Sequence, residues 1–179
     1  MPVLALETAT LVSGVALATE SSLLAEWKLE TAKTHSELLL PHVEMLLQAA
    51  QVEKQELKAV AVSLGPGSFT GLRIGLATAK ALAYALRIPL IGVPTLEALA
   101  YNCPVPGVLL SPFLDAQKGN VYQGRYHIEN GRVVEVQPPR VVAFQKALEE
   151  LVADGEPAMA LGEGVAWLQQ PEYKALQEA

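Results

Sequence analysis

Apolar residues at 2–6 and 14–18, and a partly alternating run at 23–29, form three short segments separated by polar or small residues. Such spacing predicts a three-stranded β-meander. Polar Thr34-His35-Ser36-Glu37 follows, with the serine/threonine and glutamate spacing of a capping box. Leu39, Val43, Leu46, Leu47 and Ala50 then recur at helical intervals, predicting a helix from 35 to 50 with Pro41 kinking it. The run 58–64 reads as a buried strand. Gly65-Pro66-Gly67-Ser68 is a tight turn, and a long helix follows from 69 to 86. A strand at 87–93 contains Pro89, which places that strand at an edge or Pro89 at the strand's start, and a short helix at 95–100 follows. Beyond Pro104 the order restarts. Strands are predicted at 108–115, 120–128 and 132–136, the last two joined by the hairpin pair Asn130-Gly131, then a helix at 144–152 and a strand at 158–162. The fold class is therefore α/β, with mixed sheets flanked by helices. The second half repeats the first in outline and gives two lobes, 1–103 and 104–179, the second shortened.

Composition sharpens the picture in two ways. Hydrophobic residues make up 51% of the 179-residue chain and charged residues 18%, against about 25% charged in an ordinary soluble domain. Either the core is large and rich in alanine and leucine, or one apolar face is covered by another chain. The net charge is −6, and no basic run occurs anywhere, which argues against a direct grip on a phosphate backbone. Cys103, the lone cysteine, excludes an internal disulfide and lies in a loop without a neighbouring base. No stretch is long and apolar enough to span a bilayer, and the apolar start lacks a basic leader, so a cytoplasmic location is expected.

The helix from 69 carries Gly71, Gly75, Ala79 and Ala83 at intervals of four, on one face. Two glycines within a helix cost about 1 kcal/mol each relative to alanine, so close packing must offset them. The expected partner is a helix of another chain in preference to purely internal packing. On that reading Gly75→Leu breaks a complex while leaving the fold intact. The turn before it exposes backbone N–H groups at a helix start. It suits either an anion, with Gly65, Gly67 and Ser68 as contacts, or simple capping by Ser68. Glu7-Thr8, at the end of the first strand, fits either a magnesium–phosphate contact or plain hairpin chemistry. His35 and His42 are seven apart, about 10.5 Å along a helix, too far to share one metal ion. No metal site and no catalytic residues are predicted.

Four segments together resemble the bacterial TsaB (YeaZ) family: residues 3–10 (Val-Leu-Ala-Leu-Glu-Thr-Ala-Thr); His35-Ser36 with Leu39-Leu40-Pro41; Gly65 through Gly75; and Gly92-Val93-Pro94-Thr95-Leu96. Asp115-Ala116 before Tyr122, and the turn Leu161-Gly162-Glu163-Gly164, extend the match. The resemblance implies an actin-like (ASKHA) fold of two RNase-H-like lobes. It also implies a non-catalytic subunit that binds the catalytic paralogue TsaD for threonylcarbamoyl transfer to N6 of adenosine 37 in tRNAs reading codons that begin with A. The ATPase TsaE would join the complex, tRNA would be met only through it, and a homodimer would form when the partner is absent. No cofactor would be held tightly, ATP and magnesium being used by the complex. The implied pairing surface comprises His35, Leu39, Val43, Leu46, Phe69, Gly71, Leu72, Gly75, Ala79 and Ala83. Departures from the family pattern are Glu7 in place of aspartate, Gln117 in place of arginine and Asn120 in place of glutamate. Alternatives are an ATP-binding enzyme of the sugar-kinase type and a metallopeptidase of the glycoprotease family.

Overall fold

The computed structural model describes residues 1–30 and 35–173, with the side chains of 35–37 and 172 outside that description. The expected Thr34 cap therefore lies outside the described residues. Strands β1 (Val3–Glu7), β2 (Val12–Ala18) and β3 (Leu23–Glu30) form the predicted antiparallel meander. Strand β4 (Ala59–Ser63) runs parallel to β1, and β5 (Leu90–Val93) parallel to β4, giving the order β3-β2-β1-β4-β5. Pro89 precedes β5 on this edge, as expected, and its carbonyl accepts the Val60 N–H.

Alternation decides which face is buried. Leu4, Leu6, Val15, Leu17, Val60 and Val62 are each at most 2% exposed, and together they meet helices α1 (His35–Ala49) and α2 (Phe69–Leu86). Helix α1 continues through Pro41, which sits on its exposed side. The left-handed Arg87 closes α2, its N–H reaching the carbonyls of Ala83 and Tyr84.

The second unit repeats this plan with β6 (Leu109–Asp115), β7 (Asn120–Glu129), β8 (Arg132–Ala143), α4 (Phe144–Asp154) and β9 (Ala158–Leu161), in the order β8-β7-β6-β9. Asn130 and Gly131 both take positive φ, the backbone a two-residue hairpin requires. Strand β8 is longer than predicted. It continues past Pro138-Pro139, where its register against β7 slips between the pairs Arg125↔Gln137 and Gln123↔Arg140. An edge strand tolerates prolines because their missing N–H groups have no neighbour to serve, and the bulge absorbs the extra residue.

The boundary between the units also moves. They comprise Met1–Pro94 and Thr95–Ala179, not the division at 103, because α3 (Thr95–Tyr101) packs Leu96 and Ala100 against Leu110, Leu114 and Tyr126 of the second sheet. Tyr126 is 1% exposed, and burial, reinforced by Glu135 and Glu97, pushes its phenol up to about 12 from the usual 10. The folded state thus keeps a proton that the unfolded chain releases above pH 10. Stability is full below pH 10 and falls by about 3 kcal/mol as pH rises from 10 to 12. Urea unfolding at pH 9, 10.5 and 12 checks this, and Tyr126→Phe should remove that part of the pH dependence.

Candidate functional site

Where β1 ends, the chain turns under the start of α2. Glu7 Oε1 accepts hydrogen bonds from the Ala9 N–H (2.5 Å) and the Ser63 hydroxyl (3.1 Å). Thr8 is fully buried, and its hydroxyl donates to the Gly71 carbonyl at 2.8 Å. Ser68 caps α2 by accepting from the Gly71 N–H at 3.2 Å, while its own N–H donates to the Ala9 carbonyl at 2.6 Å. A Cβ on Gly67 would overlap the Ala9 carbonyl oxygen, one on Gly71 the Thr8 carbonyl oxygen, and one on Gly75 the Thr8 hydroxyl. Gly65 lies beside Leu72. The residues nominated as phosphate contacts (Glu7, Thr8, Gly65, Gly67 and Ser68) therefore do converge, but these bonds join one part of the chain to another. A carboxylate beside the turn also opposes an anion. The arrangement is a joint that seats α2 on β1.

That joint corrects the expected role of the small-residue stripe. Gly71, Gly75, Ala79 and Ala83 are buried inside the unit, the glycines on Thr8 and the alanines in the core under α2. Close approach to β1 and the sheet, not to a foreign helix, offsets the cost of the glycines. Leu39, Val43 and Leu46 are likewise 1%, 2% and 3% exposed, so they cannot touch a partner while the unit is folded. Leu72 is half-buried. The His35 side chain lies outside the described residues. Of the nominated interface residues that are described, Phe69 alone projects freely, at 72% exposure.

The outward surface is a different set. At 100° per residue, Phe69, Arg73, Ala77, Lys80 and Tyr84 fall within an arc of about 80° on α2, and all five are exposed, Tyr84 at 88%. The Arg73 guanidinium lies 4.7 Å from the centre of the Phe69 ring. Leu40 and Met45 are exposed on α1. Between the helices is a cleft of about 40 Å³ lined by Leu40, Val43, Leu47, Leu57, Leu82 and Leu86, with the Glu44–Lys54 ion pair (3.0 Å) at its edge. The signal that could have found this face is the arc opposite the glycines, occupied by two aromatic residues and two cations where a solvated surface is ordinarily polar.

Elsewhere the polar chemistry is structural. Asp115 Oδ1 accepts from the Gln117 N–H at 2.6 Å, repeating the Glu7–Ala9 contact in the second unit. Arg140 bridges Gln123 and Glu150, and its hydrogen bond holds the Glu150 carboxyl below its ordinary range. His42 is buried against Trp27, ring centres 5.6 Å apart. Among the described residues no cluster of histidine, cysteine, aspartate or glutamate is arranged to hold a metal ion, and no helix is long and apolar enough to cross a membrane.

Residues 29–171 match the family model described as TsaD, tRNA N6-adenosine threonylcarbamoyltransferase. The tRNA threonylcarbamoyladenosine biosynthesis protein TsaB of Bacillus subtilis is 39% identical over 162 residues, covering 90% of this chain and 71% of the relative. This chain belongs to the TsaB (YeaZ) family. TsaB of Escherichia coli is 36% identical over 136 residues, 73% of this chain and 58% of that protein. The solved structure of YeaZ from Pseudomonas aeruginosa superimposes with a TM-score of 0.71 at 32% identity, covering 79% of this chain and 66% of that one. The mixed sheets with flanking helices expected from the sequence are observed in each unit.

Proposed function

We propose that this TsaB-family chain is a non-catalytic subunit of the tRNA threonylcarbamoyladenosine machinery that docks on the transferase TsaD through the outer face of α1 and α2. The observation that carries this reading is the exposed arc of Phe69, Ala77 and Tyr84 on α2, with Leu40 and Met45 exposed on α1. Large aromatic side chains exposed together on one helix are the residues that anchor protein interfaces. The inward faces of both helices are already used by the core, so only the outward faces remain for a partner. The internally satisfied joint at Glu7, Thr8 and Ser68 supports a scaffold over a nucleotide-binding enzyme. ATP and magnesium then belong to the assembled complex, which TsaE joins, and tRNA is met through that complex.

Light scattering of the purified chain, alone and mixed with TsaD from the same source, tests the reading. The expected result is a one-to-one complex formed at the expense of any self-associated species. A chain whose mass is unchanged by TsaD would overturn it.

A further inference from the structure

One buried polar side chain outside the joint has no structural hydrogen bond. His42, on α1, is 6% exposed, and among the described residues no hydrogen bond reaches it. Its ring lies against Trp27 of β3, with centres 5.6 Å apart and planes tilted by 31°. Buried polar groups are ordinarily hydrogen-bonded, and an apolar side chain would fill this position without the cost of an unpaired nitrogen. Met45 follows three residues later, about 60° round the helix and about 4.5 Å further along it. It is 43% exposed, as is Trp27. We propose that His42, Met45 and Trp27 form a site for a soft monovalent cation, copper(I), in the crevice between α1 and the edge strand β3.

The two flanks of α1 are distinct. Leu40 and Glu44, each about 160° round from His42, line the cleft shared with Leu82 and Leu86 of α2. The contact with Trp27 turns the other flank, which carries His42 and Met45, towards β3. That strand ends the first sheet on this side, and the exposed parts of Trp27 and Met45 leave the crevice open to solvent. Strand alternation sends Glu26 and Lys28 to the opposite face from Trp27, where they pair at 3.0 Å, so neither charge enters the crevice. The donors that remain are an imidazole nitrogen and a thioether sulfur. Soft ligands of this kind select copper(I), whereas magnesium and calcium take oxygen and a structural zinc ion takes four ligands. A cation held by the imidazole lies beside the indole, whose π face attracts it. The site is independent of the docking role.

Silver(I), a redox-inert stand-in for copper(I), tests the site in chloride-free buffer. Cys103 is a free thiol and a competing soft ligand, so every titration uses a Cys103→Ser background. Trp167→Phe then leaves Trp27 as the single fluorophore, because the chain has two tryptophans. Stoichiometric silver should quench Trp27, and zinc(II) at the same concentrations should not. His42→Phe keeps a ring against Trp27, and Met45→Leu keeps the apolar volume, so both preserve packing while removing a donor. Each should weaken silver binding about tenfold or more. Methyl NMR of the three methionines reads the same event without the Trp167 change: the Met45 signal should move while those of Met1 and Met159 stay. Met1, 81% exposed, is the built-in control for non-specific binding to a thioether. Unaltered Trp27 emission with an unmoved Met45 signal would overturn the inference. Silver binding of equal affinity in His42→Phe and Met45→Leu would overturn it as well, by placing the ion elsewhere on the chain.

Discussion

A Gly71→Ala variant should lose about 3 kcal/mol of stability, although alanine is the better helix former by about 1 kcal/mol. The added methyl group would overlap the Thr8 carbonyl oxygen. Thr8 is held in β1's turn with no exposed surface, and its hydroxyl is bonded to the Gly71 carbonyl itself, so neither side can retreat. Backbone on backbone is the least forgiving overlap, which places the cost at the upper end of the usual overpacking range. For a unit of this size the melting temperature should fall by roughly 12–24 °C. Differential scanning calorimetry checks it, and a midpoint equal to wild type would mean that α2 is not seated on Thr8. Gly75→Leu, expected from the sequence to break only a complex, should instead disturb the unit itself, because its side chain would start from the Thr8 hydroxyl.

The converse is expected at the outward arc. Phe69→Ala and Tyr84→Ala remove side chains that are 72% and 88% exposed, so unfolding midpoints should stay within about 0.5 kcal/mol of wild type. If these rings anchor TsaD, each truncation should weaken the complex by at least about 2 kcal/mol, roughly thirtyfold. Leu39→Ala is the useful contrast. It empties a core position that is 1% exposed and should cost about 2–5 kcal/mol of stability, affecting binding only through the unfolded fraction. Calorimetric titration of the three variants separates the cases. Tight binding by both aromatic variants would exclude this face as the docking surface.

Much of the architecture is legible in the pattern of the chain, because strand alternation and helical spacing are local. Strand β2 reads directly as alternating half-buried and buried positions, and the register with β1 and β3 follows. The facing of α2 is not local. A glycine–alanine stripe satisfies a foreign helix or the chain's own sheet equally well, and only the proximity of Thr8, 63 residues from Gly71, decides between them. The same limit explains α3: Leu96 and Ala100 would fit either sheet, and the boundary moved once their neighbours were known. Strand β8 extended past Val136 because prolines stop a strand only where a neighbour needs their N–H, and the sequence does not announce which strands lie at edges. At the Gly65–Ser68 turn, spacing located the right residues, but the occupant of their polar atoms was the chain itself.

The Thr8 joint has one more effect. A helix lying on a smooth apolar floor can roll, and a roll of one residue carries its outer side chains through about 100°. The Thr8 hydroxyl, lodged in the gap that Gly71 and Gly75 leave, acts as a key in a slot and sets the azimuth of α2. The aim of Phe69 and Tyr84 is thereby governed from a residue with no accessible surface. The proposed docking face is thus tied to the β1 turn, which a partner on that face would never touch.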